Sequence, residues 1–266
     1  MRSLVLILLA GCNPVFGLDP TRAVELPDAG DPRIDEDLDG VLNEVDNCPG
    51  IANPEQVDLS ETTYGLPADG VGDACDPNDD LVDTVVTRYY FNAPDDATHF
   101  TPSAPFTFVD GHVDIAKTAE LSYLDHLDMP DVTRGRLTVE AGFELVDKAV
   151  GTRIGVYVDG RELHYTLVDL RPDTYLTTYN KYPPPTLCLE TNRSGCDEEI
   201  LPTLPDRIVI QMRSGTGAPK TNDIKGILAG TGVDAKFDST GQIANKFGMI
   251  SSANARLLHV IVYISQ

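Results

Sequence analysis

The chain has 266 residues, a formal net charge of −22 and no tryptophan. Its acidic residues are concentrated near the start, since Arg33 is the only basic residue between Glu25 and Asp80. A field of this sign repels phosphate backbones and attracts cations, which argues against nucleic acid as a partner. The length leaves room for one sizeable hydrophobic core after the acidic segment.

The chain begins with a short basic and apolar segment. The apolar run from Leu4 to Ala10 is too short to span a bilayer and predicts a signal peptide over residues 1–11. The run ends in the letters LAGC at Cys12, which resemble the lipobox of bacterial lipoproteins. This resemblance implies a lipid on the Cys12 sulfur, and therefore a membrane as a partner through that lipid. The residue after Cys12 is Asn13. An aspartate at this position would resemble an inner-membrane retention signal, so its absence favours the outer membrane.

The cysteine count is consistent with lipidation. Five cysteines in an exported protein leave one unpaired, and lipidation of Cys12 accounts for it. An ordinary signal peptide would instead leave that cysteine free or buried. Two disulfides are predicted among the remaining four, which are Cys48, Cys75, Cys188 and Cys196. Cys188 and Cys196 are close in sequence and are predicted to close a surface loop.

Two segments of different character follow the signal peptide. Residues 12–34 are rich in proline, aspartate and glycine without a hydrophobic period, which predicts a flexible tether. Residues 35–82 have too few periodic apolar residues to bury an ordinary core. Their carboxylates and two cysteines indicate a metal ion and a disulfide instead. We therefore predict a calcium-binding stalk over residues 35–82, with a solvated acidic linker as the alternative.

The sequence DEDLDGVLNEVD over residues 35–46 has the spacing of a twelve-residue calcium loop. Oxygen donors stand at positions one, three, five, seven, nine and twelve, with glycine at six for the turn. Calcium is a hard cation that takes six to eight oxygen ligands, so this pattern suits it. The predicted ligands are Asp35, Asp37, Asp39, the carbonyl of Val41, Asn43 and Asp46.

Three phrases continue the pattern: DNCP from Asp46, NPEQVD from Asn53 and DGVGDACD from Asp69. Their order resembles a thrombospondin type 3 repeat. This resemblance implies an extended backbone wrapped around calcium ions, a role in cell adhesion and a disulfide between Cys48 and Cys75.

The segment departs from that family between Asp58 and Asp69. Residues 59–68 are inserted where alternating aspartates are expected, so the second calcium site is either lost or completed in another geometry. The candidate ligands for such a site are Asp58, Asp69, Asp73, Asp76, Asn78 and Asp80. We expect residues 35–80 to be ordered only with calcium, because carboxylate repulsion opposes compaction.

Residues 84–266 predict a mainly β domain. Short alternating runs separated by turn residues are typical of an antiparallel sandwich. The predicted strands are 85–91, 106–109, 137–145, 154–158, 163–167, 207–212, 224–228 and 257–264. Residues 119–127 fit either a helical turn or a strand. The strand spacing and the closing run from Phe247 resemble a concanavalin A-like or laminin G-like jelly roll, with an immunoglobulin-type sandwich as the alternative.

The β domain offers one candidate ligand surface. Tyr175, Tyr179 and Tyr182 lie in an aromatic, proline-rich excursion and could stack on sugar rings, although tyrosines on strands are more often packed. No catalytic motif is recognised. Glu140 and Glu144 share one parity of a strand and are expected to be solvated, and the histidines are expected to be structural or surface residues.

The sequence therefore predicts a lipid-anchored surface module and favours a binding protein over an enzyme. Its cofactor is calcium, and its partners are the membrane and an extracellular glycan or protein. The alternatives are a surface polysaccharide hydrolase and a structural spacer of the envelope.

Overall fold

The structure is a computed structural model that describes residues 35–78, 80–93, 95–101, 104–127, 135–158, 164–180, 196–217, 221–239 and 246–265. The predicted signal peptide, Cys12, the tether, Tyr182 and Cys188 lie outside these ranges. Within them, no helix has both the length and the apolar character needed to cross a bilayer.

The described residues form strands and two short 3-10 turns, at Ser60–Tyr64 and Asp96–His99. The strands are β1 (Asp83–Tyr89), β2 (Phe100–Thr101), β3 (Phe106–Val109), β4 (His112–Ile115), β5 (Ser122–His126), β6 (Arg136–Leu145), β7 (Arg153–Val158), β8 (His164–Leu170), β9 (Thr174–Asn180), β10 (Cys196–Leu201), β11 (Arg207–Gly217), β12 (Thr221–Leu228), β13 (Val233–Ser239), β14 (Phe247–Ser251) and β15 (Ala255–Ser265). The ambiguous segment 119–127 thus contains a strand, β5.

The strands build two antiparallel sheets that pack face to face. The first sheet has the order β13-β12-β11-β6-β15-β4-β3, with β1 also paired to β15. The second sheet has the order β10-β9-β8-β7-β14-β5-β2. Successive strands cross between the sheets, since β4 and β6 lie in the first sheet while β5 and β7 lie in the second. This confirms the predicted mainly β, antiparallel jelly-roll sandwich.

The core lies between the sheets and is centred on β6. Its alternating residues Leu137, Val139, Ala141 and Phe143 are completely buried, as their period of two predicts. Burying a large apolar side chain contributes about 1.5–3 kcal/mol, so this strand is a main source of stability. The opposite residues of β6 point to the outer face of the first sheet.

A β-bulge in β15 changes which side chains reach that outer face. Leu257 pairs with Phe143 and His259 pairs with Gly142, which leaves Leu258 as the extra residue. An extra residue shifts the alternation by one, so His259 joins Ile261 and Tyr263 on the outer face. Without the bulge, His259 would point into the apolar core.

Residues 35–82, called the repeat segment below, lie on this outer face instead of extending away from the sandwich. An apolar cluster joins them to β15 and consists of Cys48, Val71, Cys75, Ile261 and Tyr263, with Ile51 and Val85 packed against it. A disulfide links Cys48 to Cys75 with a Cα–Cα distance of 5.6 Å, which confirms the predicted pairing. The segment has no core of its own and packs this small set of apolar side chains against the sheet, while others such as Leu38 and Val45 stay exposed.

Candidate calcium sites and the repeat-sheet interface

The first loop brings its leading aspartates together. Asp35, Asp37 and Asp39 each contribute a carboxylate oxygen to a group whose members all lie within 4.8 Å of one another. Gly40 makes the turn with a φ of +98°, and its N–H donates to Asp35 Oδ2 at 2.7 Å. The Val41 N–H donates to Asp39 Oδ1 at 2.8 Å. Backbone donors thus hold the carboxylates in a shared orientation.

Two carboxylates of this loop use only one of their oxygens. Asp37 Oδ1 accepts from the Asp39 N–H at 3.2 Å, and Asp46 Oδ1 accepts from the Cys48 N–H at 2.8 Å. The other oxygen of each, Oδ2, is buried, and no described residue donates a hydrogen bond to it. Buried oxygens of this kind normally have a partner, so their arrangement fits a cation.

The electrostatics of the loop point the same way. Burial, together with the nearby charges of Asp46 and Asp39, raises the pKa of Asp37 to about 7. Burial also raises the pKa of Asp46, and the charges of Asp39 and Asp35 add to the effect. A divalent cation would stabilise all four carboxylates in their charged forms.

The predicted ligand Asn43 has a different set of contacts. It is completely buried, and its Oδ1 accepts from the Glu36 N–H at 2.8 Å. Its carbonyl oxygen accepts from the Tyr90 hydroxyl at 3.5 Å. Asn43 therefore links the loop to Glu36 through its side chain and to Tyr90, which follows β1, through its carbonyl oxygen.

A second acidic cluster lies in the other half of the repeat segment. Asp58, Glu61 and Asp69 contribute carboxylate oxygens that all lie within 4.8 Å of one another. Asp58 and Asp69 were predicted as ligands, whereas Glu61 was not. It is the only charged residue of the inserted stretch 59–68, which is the signal that could have identified it.

The other predicted ligands of this half make contacts of their own. Asp73 Oδ1 accepts from the backbone N–H groups of Leu59 and Ser60 at 2.7 and 3.0 Å and so holds the start of the 3-10 turn. Asn78 donates to Ser265 Oγ at 2.7 Å, and Asp80 pairs with Arg136 at 3.0 Å. Asp76 accepts from the Ser60 hydroxyl at 3.2 Å and lies beside Glu61.

A buried charge cluster connects the first loop to the sheet. His259 has 0% of its surface exposed, and Glu36 and Glu140 are also buried. The His259 ring places Nδ1 3.1 Å from Glu36 Oε2 and Nε2 3.2 Å from Glu140 Oε1. The expectation that Glu140 is solvated is therefore wrong, because the repeat segment covers it.

The charge state of His259 follows from these neighbours. Burial alone would lower its pKa, but the carboxylates of Glu36 and Glu140 raise it to about 10. An imidazolium that donates through both nitrogens thus lies between a carboxylate of the loop and a carboxylate of β6. Because Gly142 lacks a side chain, the ring fits against β6: an added Cβ would lie 2.3 Å from His259 Cε1.

Further side chains of the sheet bind the repeat segment through its backbone. Gln211 donates to the Cys75 carbonyl and, at 2.7 Å, to Glu140 Oε2. Arg213 donates to the Pro77 carbonyl at 3.1 Å. Arg207 donates to the Glu36 carbonyl. Direct contacts from β11 therefore hold both ends of the segment.

The candidate sugar-binding tyrosines are only partly described. The Arg171 guanidinium lies 4.6 Å from the ring centre of Tyr175, so one face of that ring is already covered. Tyr179 pairs with Tyr165 and Cys196 through the backbone, and its side chain lies outside the described set, as does that of Cys196. The described residues thus leave at most one open face on Tyr175.

A model of the thrombospondin type 3 repeat family matches residues 33–56. The match covers the first loop and ends before Asp58, which confirms the resemblance for that half of the segment. No curated protein matches the chain.

Solved structures with a similar fold include several lectin-like domains. One is the legume lectin-like domain from Entamoeba histolytica, with 11% identity, a TM-score of 0.46 and coverage of 64% of this chain and 92% of that one. Another is the Emp47p carbohydrate recognition domain, with 10% identity, a TM-score of 0.46 and coverage of 64% and 90%. A third is the exoplasmic/lumenal domain of VIP36 in its Ca2+/Man3GlcNAc-bound form, with 8% identity, a TM-score of 0.45 and coverage of 66% and 89%.

Proposed function

We propose that residues 35–46 bind a calcium ion that holds the repeat segment on the sandwich, and that the joined unit acts as a recognition module at the cell surface. The observation that carries the calcium proposal is the convergence of Asp35, Asp37 and Asp39, with buried oxygens of Asp37 and Asp46 that no described residue satisfies. Calcium supplies the positive charge that these oxygens lack.

The loop and the sandwich are coupled through Glu36. This residue lies between two predicted ligands, Asp35 and Asp37, and its side chain reaches His259 in β15. An ion that fixes the loop backbone therefore also fixes Glu36 against the imidazolium. Calcium binding then stabilises the contact with the sheet as well as the loop itself.

The test is a calcium titration of the full chain followed by limited proteolysis of residues 35–80. Asp37→Asn should weaken calcium binding by a factor on the order of ten or more, because it removes a charged ligand. Glu55→Gln makes the same charge change at an exposed residue of the segment and should leave binding unchanged. Equal cleavage with and without calcium would refute the proposal.

We also propose that a lipid on Cys12 anchors the module in the outer membrane and not in the inner membrane. The LAGC sequence at Cys12 and the odd number of cysteines support this placement. Labelling of cells with a clickable palmitate analogue should mark the wild-type chain and not Cys12→Ser. Label on both chains, or on neither, would exclude this anchor.

Recognition of a glycan or protein is the remaining part of the proposal. An exported, highly acidic chain with a β-sandwich held by calcium suits an extracellular binding role. A glycan array probed with the full chain, with calcium and with a chelator, tests it. Calcium-dependent binding to a defined set of glycans is expected, whereas a pure spacer would bind none.

A further inference from the structure

The inserted stretch 59–68 folds so that it delivers one carboxylate to the inside of the repeat segment. It forms a 3-10 turn at Ser60–Tyr64 that ends at Gly65 with a φ of +78°. Glu61 has 0% of its surface exposed, while Thr62, Thr63 and Tyr64 face solvent. Asp73 holds the start of the turn through two backbone N–H groups. The turn therefore presents Glu61 inward.

Glu61 meets two carboxylates that come from either side of the insertion. Asp58 Oδ2 accepts from the Gly70 N–H at 2.8 Å, and Asp69 Oδ1 accepts from the Val71 N–H at 2.8 Å. These bonds leave carboxylate oxygens of Asp58, Glu61 and Asp69 within 4.8 Å of one another. As in the first loop, backbone N–H groups orient the carboxylates, and here they leave Asp58 Oδ1 without a backbone donor.

An independent observation indicates a ligand at this cluster. Glu61 Oε2 and Asp58 Oδ1 are both buried, and nothing in the described ranges donates a hydrogen bond to either atom. A buried carboxylate oxygen without a donor or a positive partner is unfavourable, so these two oxygens point to a ligand. The Ser60 hydroxyl lies 3.2 Å from both Glu61 Oε1 and Asp76 Oδ2, which places a fourth carboxylate beside the cluster.

We infer that Asp58, Glu61 and Asp69 bind a second calcium ion. Glu61 comes from the inserted residues 59–68 and is therefore a ligand that the family pattern does not provide. The inference extends the proposed function and rests on it for the identity of the ion. A glutamate reaches farther than an aspartate, so a ligand from a separate turn can complete a site whose regular aspartates are missing. Several hard oxygens with negative charge suit calcium.

The second ion would lie where the repeat segment enters the sandwich. The Asp83 N–H donates to Asp69 Oδ2, and Asp83 is the first residue of β1. The first ion would lie near Glu36 and His259. The two ions would thus fasten the repeat segment at separate points, one on the His259 side and one at the start of β1.

The experiment counts bound ions by native mass spectrometry of the full chain at increasing calcium concentration. The wild type should carry two ions. Glu61→Gln should carry one and keep the calcium-dependent protection of residues 35–46 from proteolysis. Asp37→Asn should also carry one ion, but at the other site. Glu55→Gln is the matched control and should carry two.

The outcomes separate this inference from the proposed function. Two ions on Glu61→Gln, or a single ion on the wild type that Asp37→Asn removes, would overturn the inference and leave the first site in place. No ion on the wild type would overturn both. Loss of both ions from Glu61→Gln would show that Glu61 supports the fold and does not hold an ion, which also overturns the inference.

Discussion

Replacement of His259 by glutamine tests the contact between the repeat segment and the sheet. The substitution removes the positive charge between two buried carboxylates, Glu36 and Glu140. Removing one partner of a buried ion pair costs about 3–5 kcal/mol, because the remaining charges are left uncompensated. A pKa raised from 6.5 to about 10 corresponds to about 5 kcal/mol in favour of the imidazolium, which agrees with that range.

The same contact predicts a pH dependence with a definite sign. Because folding raises the pKa of His259 to about 10, its contribution is present in full below the unfolded pKa of 6.5. It is lost as the pH rises toward 10, at about 1.4 kcal/mol per pH unit. The wild type should therefore lose stability relative to His259→Gln over this interval, until the two proteins converge.

Urea denaturation in saturating calcium at several pH values between 6 and 10 measures this difference. His112→Gln is the control, because His112 meets a carboxylate of Asp114 whose side chain is 53% exposed. A surface pair of this kind contributes about 0–1 kcal/mol, so the control should follow the wild type. If His259→Gln has the same stability difference from the wild type at every pH, the imidazolium does not hold the repeat segment to the sheet.

Two further substitutions test the packing of the repeat segment. Gly142→Ala would place a Cβ 2.3 Å from His259 Cε1, so it should lower the free energy of unfolding by about 1–3 kcal/mol in urea denaturation; an unchanged value would mean that the ring moves aside freely. Replacing Cys48 and Cys75 together by serine opens a loop of sequence separation 27 and should cost about 3.5 kcal/mol through chain entropy. The loss should appear in the same assay and as faster cleavage of the repeat segment, and unaltered cleavage would contradict it.

The local pattern of the chain determined much of the sandwich. Leu137, Val139, Ala141 and Phe143 alternate because β6 buries one face, and a period of two is visible in any sequence. The spacing of Asp35, Asp37 and Asp39 before Gly40 is equally local, since the turn brings side chains that are two residues apart to the same side of the loop. These features could be predicted because they need only neighbours along the chain.

The cluster around His259 could not be predicted in this way. Glu36, Glu140 and His259 are separated by more than one hundred residues along the chain, and the bulge at Leu258 decides that the histidine points outward. Nothing in the letters around His259 marks that bulge. For the same reason, the strand pattern predicted that Glu140 is solvated, whereas the repeat segment covers it.

The amino-acid sequence by itself determined eight of the strands, the acidic loop over residues 35–46 and the cysteines available for pairing, because each depends on residue type and short spacing. Only the tertiary structure decided where the repeat segment lies and which carboxylates meet at Glu61. The physical reason is that both depend on long-range burial: a segment without its own core packs on the nearest apolar and charged face, and the topology of the sheet chooses that face.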